Sequence, residues 1–261
     1  MKKMSVIQTK IKNDNIYIIT LNNPKKRNPL SMELIDALQK EFDALKKNKI
    51  LKAVILKSTG PSFSAGHDLK EVKKLASSKK ELLSLFRACS KMMLSIRNIN
   101  QPVIASIDGI AAAAGCQLVA SCDLAVASKT SYFQTPGVNI GLFCSTPMVA
   151  ISRKIKAKDM MYMLLSGEKI SSLEAKNMGL INKVVQKKFL DKEVFSLAQK
   201  LVKKSYQSIE IGKIAFYKQL NMDIEKAYDY TSKVMTKNMG FKDANEGINA
   251  FIEKRSPIWK K

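Results

Sequence analysis

Three short apolar runs constrain the fold more than any other feature: "KAVILKS" at 52–58, "QPVIASIDG" at 101–109 and "LAVAS" at 124–128. Each reads as a buried strand, and loop and helix segments separate them rather than short hairpins. Strand, loop, helix and strand in alternation argue an α/β fold. Upstream, "NIYIITLN" is a further strand, rich in β-branched and aromatic residues. Ser31 is placed to cap a helix with Leu34, Ile35, Leu38, Phe42 and Leu45 on one face. A second helix runs through "KELLSLFRACSKMMLSIRNI", and "AAAAGCQLVASCD" reads as a small-residue helix. From about Lys154 the pattern turns helical. Apolar stripes lie at Ile209 to Leu220 and at Ile248, Phe251 and Ile252, and Asp243 with Glu246 forms a helix-start box. The expectation is one continuous domain with a helical C-terminal extension. Its stripes suit packing on another subunit or on the chain's own core.

Of the 261 residues, 46% are hydrophobic, enough for a substantial core; 13 methionines and only 7% aromatics make that core aliphatic and Met-filled. With 45 Lys+Arg against 22 Asp+Glu, the net charge of +23 attracts anions: nucleic acid, acidic membranes or phosphorylated metabolites. The excess is scattered lysine accompanied by Ile and Asn, which an AT-rich coding sequence also produces. Cys89, Cys116, Cys122 and Cys144 form no CxxC pair, and one histidine completes no zinc set, so no metal is expected. No apolar leader and no membrane-length run are visible. A cytoplasmic protein, or a mitochondrial matrix protein in a eukaryote, is expected.

The only histidine, His67, lies in "FSAGHDLKEV" after the "KAVILKS" strand. The second feature is the alanine-rich entry to the "AAAAGCQ" helix. Little side chain covers the backbone there, and the first N–H groups of a helix have no internal partner. A loop N–H aimed at the same point completes an oxyanion hole. Tight strand–helix packing alone also accounts for the alanines.

"FSAGHDL" resembles a signature of the enoyl-CoA hydratase/isomerase, or crotonase, superfamily, and "PVIASIDGIAAAAGCQLVASCDLAVAS" resembles its other signature. "NNPKKRNPLS", "TPGVNIGL" and "EGINAFIEKRSPIW" are also similar, in the same order, so the likeness covers nearly the whole chain. "FSAGHDLKE", "GVNIGLFCSTP" and "FYKQL" look most like the enoyl-CoA hydratase domain-containing protein 3 subgroup. The resemblance implies a crotonase-like spiral of ββα units over residues 1–195. It implies a helical C-terminal trimerisation region over residues 196–261, with homotrimers or hexamers made as dimers of trimers. The implied substrate is an acyl-CoA thioester, with no tightly bound cofactor. By motif position the N–H groups of His67 and Ala114 hold its carbonyl. Ala65, Asp68 and Leu69 line the CoA path, Lys26 and Arg27 meet its phosphates, and Phe251 and Lys254 reach the nucleotide, often from a neighbouring subunit.

The chain departs from the pattern where it matters most. Hydratases of this family place a glutamate where this sequence has Gln117 and a second where it has Gly137; the isomerase aspartate position is Ser145. Neither Gln117 nor Ser145 is a general base near neutral pH. The remaining pocket is expected to be neutral and polar: Gln117, Asn139, Cys144 and Ser145. Cys144 reads as a buried thiol, Asp68 as a cap, and Asp123 as the end of its helix. Three readings follow: an enolate-forming hydratase/isomerase-like lyase in fatty-acid or acyl-CoA metabolism, with His67 as an unusual acid–base group; a decarboxylase resembling methylmalonyl-CoA decarboxylase; or a non-catalytic acyl-CoA binder or RNA-binding moonlighter. The last is supported for RNA by charge alone, since no RRM or KH motif is present. Membrane association is not expected.

Overall fold

The computed structural model describes residues 5–13 and 15–259. It opens on β1 (Ile7–Lys12) and β2 (Ile16–Leu21), which pair antiparallel from Ile7 with Leu21 to Lys12 with Ile16. This hairpin corrects the expectation of a chain without hairpins. Asn13, at φ +51, sits in its turn, a conformation that asparagine tolerates better than most residues. Then come α1 (Met32–Lys47), β3 (Ala53–Ser58), β4 (Ser62–Ser64), α2 (Leu69–Leu75), α3 (Lys79–Asn98), β5 (Val103–Ile107), β6 (Ile110–Ala112), α4 (Ala114–Ser121), β7 (Leu124–Ser128) and β8 (Tyr132–Gln134). The Ser31 hydroxyl accepts the Leu34 N–H at the start of α1, and the five apolar residues expected on its inner face are all buried.

The repeat is visible in the pairing. β3, β5 and β7 each enter a six-stranded sheet ordered β1-β2-β3-β5-β7-β10, parallel except at β1, with β10 (Lys183–Val185) at its far edge. Their successors β4, β6 and β8 enter a second sheet in the same order, closed by β9 (Ile170–Ser171). Each turn of chain therefore lays one strand in each sheet before a helix, which is a spiral of ββα units. The helices completing the later turns are α5 (Ser145–Ile151), α6 (Ala157–Ser166) and α7 (Ser172–Met178).

The central strands are mostly apolar because both faces of their sheet are covered. Ile19, Leu21, Val54, Leu56 and Ala105 point into the main core under α1, α3 and α4. Ile16, Ile18, Ile55, Ile104 and Val126 face a second cluster under α8 (Leu190–Val202), through Leu190, Val194 and Ala198. The boundary expected between 195 and 196 thus falls inside a helix whose two ends pack on the same sheet.

The chain ends in α9 (Tyr206–Gln219), α10 (Ile224–Met239) and α11 (Lys242–Ile252). A buried polar cluster ties α9 to the core. The Lys213 ammonium donates to the Asp123 carboxylate (2.7 Å) and to the Ile96 and Gln101 carbonyls (3.0 and 2.7 Å). Asp123 also accepts the Tyr217 hydroxyl (2.8 Å) and the Val103 N–H (2.7 Å). Asp123 is therefore not a helix end; Cys122 holds that position in α4, and Asp123 is the hub of an interior ion pair. The helix-start box is corrected as well. Phe241 is the N-cap of α11, and Asp243 lies within its first turn, accepting the Ser205 hydroxyl (2.7 Å).

Candidate active site

The alanine run divides rather than forming one helix. Ala111 and Ala112 end β6, Ala113 turns with φ +47 and ψ −117, and α4 begins at Ala114. A non-glycine residue at such a φ is strained by about 1–3 kcal/mol and persists where its surroundings over-determine it. Here the Ala113 N–H is held by the Gln134 carbonyl of β8 at 2.9 Å, and its carbonyl already accepts the Gln117 N–H. The consequence is an abrupt strand-to-helix turn that leaves the Ala114 N–H at a helix start.

The His67 loop is pressed against this turn. A Cβ on Gly66, which has φ +90, would lie 3.0 Å from the Ala112 oxygen, 3.0 Å from the Ala113 Cβ and 3.3 Å from the Ala114 nitrogen. A Cβ on Gly115 would lie 2.3 Å from the Ser64 oxygen. Two glycines, one on each side, allow this approach. On its other side the loop is held by the opening segment: the Leu30 N–H donates to the Gly66 oxygen (2.7 Å), and the Ala65 N–H to the Arg27 oxygen (3.0 Å). Leu30 and His67 form an isolated parallel bridge. In such a bridge Leu30 supplies both backbone groups, so the His67 N–H points away from Leu30. Among the described residues neither the His67 N–H nor the Ala114 N–H has an acceptor.

Both residues line one cavity of about 350 Å³, with Ala65, Leu69, Phe86, Gly137, Cys144 and Ser145 also in its wall. No carboxylate lines it among the described residues. Asp68 stands beside it, capping α2 through the Lys70 and Glu71 N–H groups, and lies 3.9 Å from the Lys26 ammonium. Arg27, at φ +62, contributes its backbone. Phe251 and Lys254 do not reach this cavity within one chain; Phe251 is 85% exposed at the end of α11. Asn139 is exposed beside Gly167 and does not line the cavity, and Gln117 lines a neighbouring one instead. The expected cluster of four neutral polar groups is thus reduced to Cys144 and Ser145. Sequence reasoning missed Phe86, whose ring meets the imidazole edge-on at 5.3 Å, and the wall formed by Ile140, Leu142 and Phe143. The last three are large, apolar and partly exposed, a signal "NIGLF" carried in plain view.

The His67 ring is anchored at one nitrogen. Its Nδ1 lies 3.1 Å from the Leu30 oxygen, and a carbonyl only accepts, so Nδ1 carries the proton. Nε2 then bears a lone pair; it is buried and has no partner. Burial lowers the pKa below the ordinary 6.5, only partly opposed by the Leu30 bond. The unfolded ring takes up its proton first as pH falls, so protonation favours unfolding. Stability is therefore present above pH 6.5 and lost below it, by up to about 1.4 kcal/mol per pH unit until the folded ring also titrates. Urea unfolding of His67→Gln should lack this acid-side loss; matching slopes for both proteins would rule it out. Cys144 is, as expected, a buried thiol, pushed up by burial.

The enoyl-CoA hydratase/isomerase family model matches residues 11–261, nearly the whole chain. The chain belongs to the enoyl-CoA hydratase/isomerase family. It is 48% identical to human mitochondrial enoyl-CoA hydratase domain-containing protein 3 over 94% of its own length and 81% of that protein. Among solved structures, the human protein of that name superposes with a TM-score of 0.93 at 45% identity, covering 97% of this chain and 100% of that one. An enoyl-CoA hydratase from Mycobacterium smegmatis gives 0.94 at 41%, covering 97% and 98%. The family fold is thus the spiral described above, and the likeness extends to the domain-containing protein 3 subgroup that the motifs resemble. Set against the family pattern, Gly137 is more than an absent glutamate. A Cβ there would lie 2.9 Å from the Leu142 oxygen and 3.1 Å from the Cys144 sulfur. The loop has closed over the glycine and filled the space a side chain would need.

Proposed function

We propose that this family member binds an acyl-CoA thioester and stabilises its enolate, the carbonyl oxygen accepting the His67 and Ala114 N–H groups. The observation that carries the reading is the contact of Gly66 with the first residues of α4, which brings two unpartnered N–H groups to one cavity wall. Two such donors stabilise negative charge that develops on oxygen, each typically contributing about 3–4 kcal/mol to the transition state. His67 is the candidate base: once its ring turns toward the cavity, Nε2 takes the α-proton, the Cα–H electron pair moves into the thioester, and the charge rests on the held oxygen. Its lone pair faces no competing donor, and its lowered pKa keeps it deprotonated at neutral pH. The reaction class is hydratase/isomerase-like, without the paired glutamates of ordinary hydration. In D₂O the protein should exchange the α-hydrogens of butyryl-CoA, detected by NMR; no exchange above buffer refutes the enolate reading.

A second reading, decarboxylation of a methylmalonyl-type thioester, is favoured by one observation: no carboxylate among the described residues lines the cavity, and loss of CO₂ forms the same enolate without a base. Release of CO₂ from methylmalonyl-CoA distinguishes it. Gly137→Glu tests the alternative that one glutamate restores hydration. With Leu142 and Cys144 in its place, the variant should lose stability and show no gain in consumption of crotonyl-CoA; a gain in hydration would contradict the closed loop.

The CoA end follows the same account. Lys26, whose ammonium lies 3.9 Å from Asp68, and its neighbour Arg27 would meet the nucleotide phosphates of a bound thioester with positive charge. Exposed Phe216, Ile224, Tyr228, Met235 and Phe251 give the C-terminal helices an apolar surface suited to a homotrimer, or two paired as a hexamer. Phe251 and Lys254 would then serve a neighbour's nucleotide site, with residues 196–261 as the oligomerisation region. Cytosol, or mitochondrial matrix in a eukaryote, is the matching compartment; no helix among the described residues is long and apolar enough to cross a membrane.

A further inference from the structure

A second cavity, of about 300 Å³, lies next to the first on α4. Thr146 lines both. Ala114 is in the wall of the first, and Gln117 and Ser121 are in the wall of the second. At 1.5 Å per residue these lie about 4.5 and 10 Å further along the helix than Ala114. The far end of an acyl group whose thioester is held at the Ala114 N–H would enter this second cavity past Thr146.

The walls of the two chambers differ in kind. The first is mostly apolar. The second carries Arg97 from the end of α3, and Arg153 and Lys154 from the segment after α5. The Arg97 guanidinium and the Lys154 ammonium stand 4.4 and 5.5 Å from the centre of the same Tyr217 ring. None of the three cations is ion-paired among the described residues. The carboxylate whose field reaches Lys154, that of Asp123, is already taken by Lys213, the Tyr217 hydroxyl and the Val103 N–H. No carboxylate lines the chamber among the described residues. A chamber for a plain alkyl end has no use for three cations that have no carboxylate partner. A carboxylate suits them, because guanidinium and ammonium donors bind it with charge-assisted hydrogen bonds.

We propose that this second cavity is a subsite for the anionic end of the acyl group, so that the preferred thioesters are those of dicarboxylic acids. The proposal rests on the acyl-CoA reading above. It assigns Arg97 and Lys154 as specificity determinants, and the cations make the preference salt-sensitive.

The test is calorimetric binding of matched pairs to the full-length protein: adipoyl-CoA against hexanoyl-CoA, and glutaryl-CoA against pentanoyl-CoA. Adipoyl-CoA should bind at least about 10-fold more tightly than hexanoyl-CoA, which corresponds to about 1.4 kcal/mol. Arg97→Met and Lys154→Met, made separately so that misfolding of one does not remove the test, should each reduce that ratio at least about threefold by loss of a charge-assisted contact. Hexanoyl-CoA binding with a ratio of one in both pairs overturns this inference and leaves the acyl-CoA reading intact. Failure of every thioester to bind overturns both. Free adipate is the control arm: if it binds while the thioester ratio stays at one, the anion site lies off the acyl path and the inference also fails.

Discussion

Gly66→Ala should lower the rate of α-hydrogen exchange about 100- to 1000-fold, the loss typical of removing one oxyanion donor. Two effects act together. At φ +90 an alanine is strained, and its methyl group would sit 3.0 Å from the Ala112 oxygen and from the Ala113 Cβ. Neither neighbour can yield easily, since both belong to the turn that orients the Ala114 N–H, and β6 holds that turn in the second sheet. The loop must move away from α4, and the two donors separate. Gly141→Ala is the matched control. It too has positive φ (+74), but nothing lies within 4 Å of its added Cβ, so it carries backbone strain without displacing the loop. If Gly66→Ala and Gly141→Ala exchange at the same rate, close packing of the loop on α4 is not what sets the site.

The largest stability effect should come from Asp123→Ala, about 3–5 kcal/mol, as for other buried ion pairs stripped of one partner. The Lys213 side chain is 6% exposed, and without Asp123 its charge keeps only two carbonyls. Burial already pushes the Lys213 pKa below its ordinary value even with Asp123 beside it. The Val103 N–H and the Tyr217 hydroxyl also lose their acceptor. Against a total stability of about 5–15 kcal/mol, that is a large share. Chemical denaturation measures it, and the paired change Asp123→Leu with Lys213→Met should recover the part due to the buried charge, leaving the cost of the orphaned Val103 N–H and Tyr217 hydroxyl. A cost below about 1 kcal/mol for Asp123→Ala would show that the pair is effectively solvated.

What the sequence disclosed follows from how local each signal is. The apolar runs at 53–56, 103–107 and 124–127 announced strands buried on both faces, and the Ser31 cap and the stripe from Leu34 to Leu45 defined α1. The His67 loop and the alanines were legible because glycine and small residues advertise close backbone approach. The division of the alanine run between β6 and α4 was not, because alanine suits both states and the Gln134 carbonyl of β8 decides the matter. Asp123 was misread for the same reason: its partners, Lys213 and Tyr217, are 90 and 94 residues away. The closing of the loop over Gly137, and the meeting of Arg97 with Lys154 at Tyr217, are tertiary events with no local trace.

The central claim concerns one bond, the carbonyl of a bound thioester. Difference infrared spectroscopy of butyryl-CoA labelled with ¹³C at that carbonyl reads its polarisation directly, whether or not any turnover follows. The account predicts a shift of the bound carbonyl stretch to lower frequency than in water, reduced in Gly66→Ala and retained in Gly141→Ala. A bound thioester whose carbonyl stretch stays at its solution frequency would contradict it.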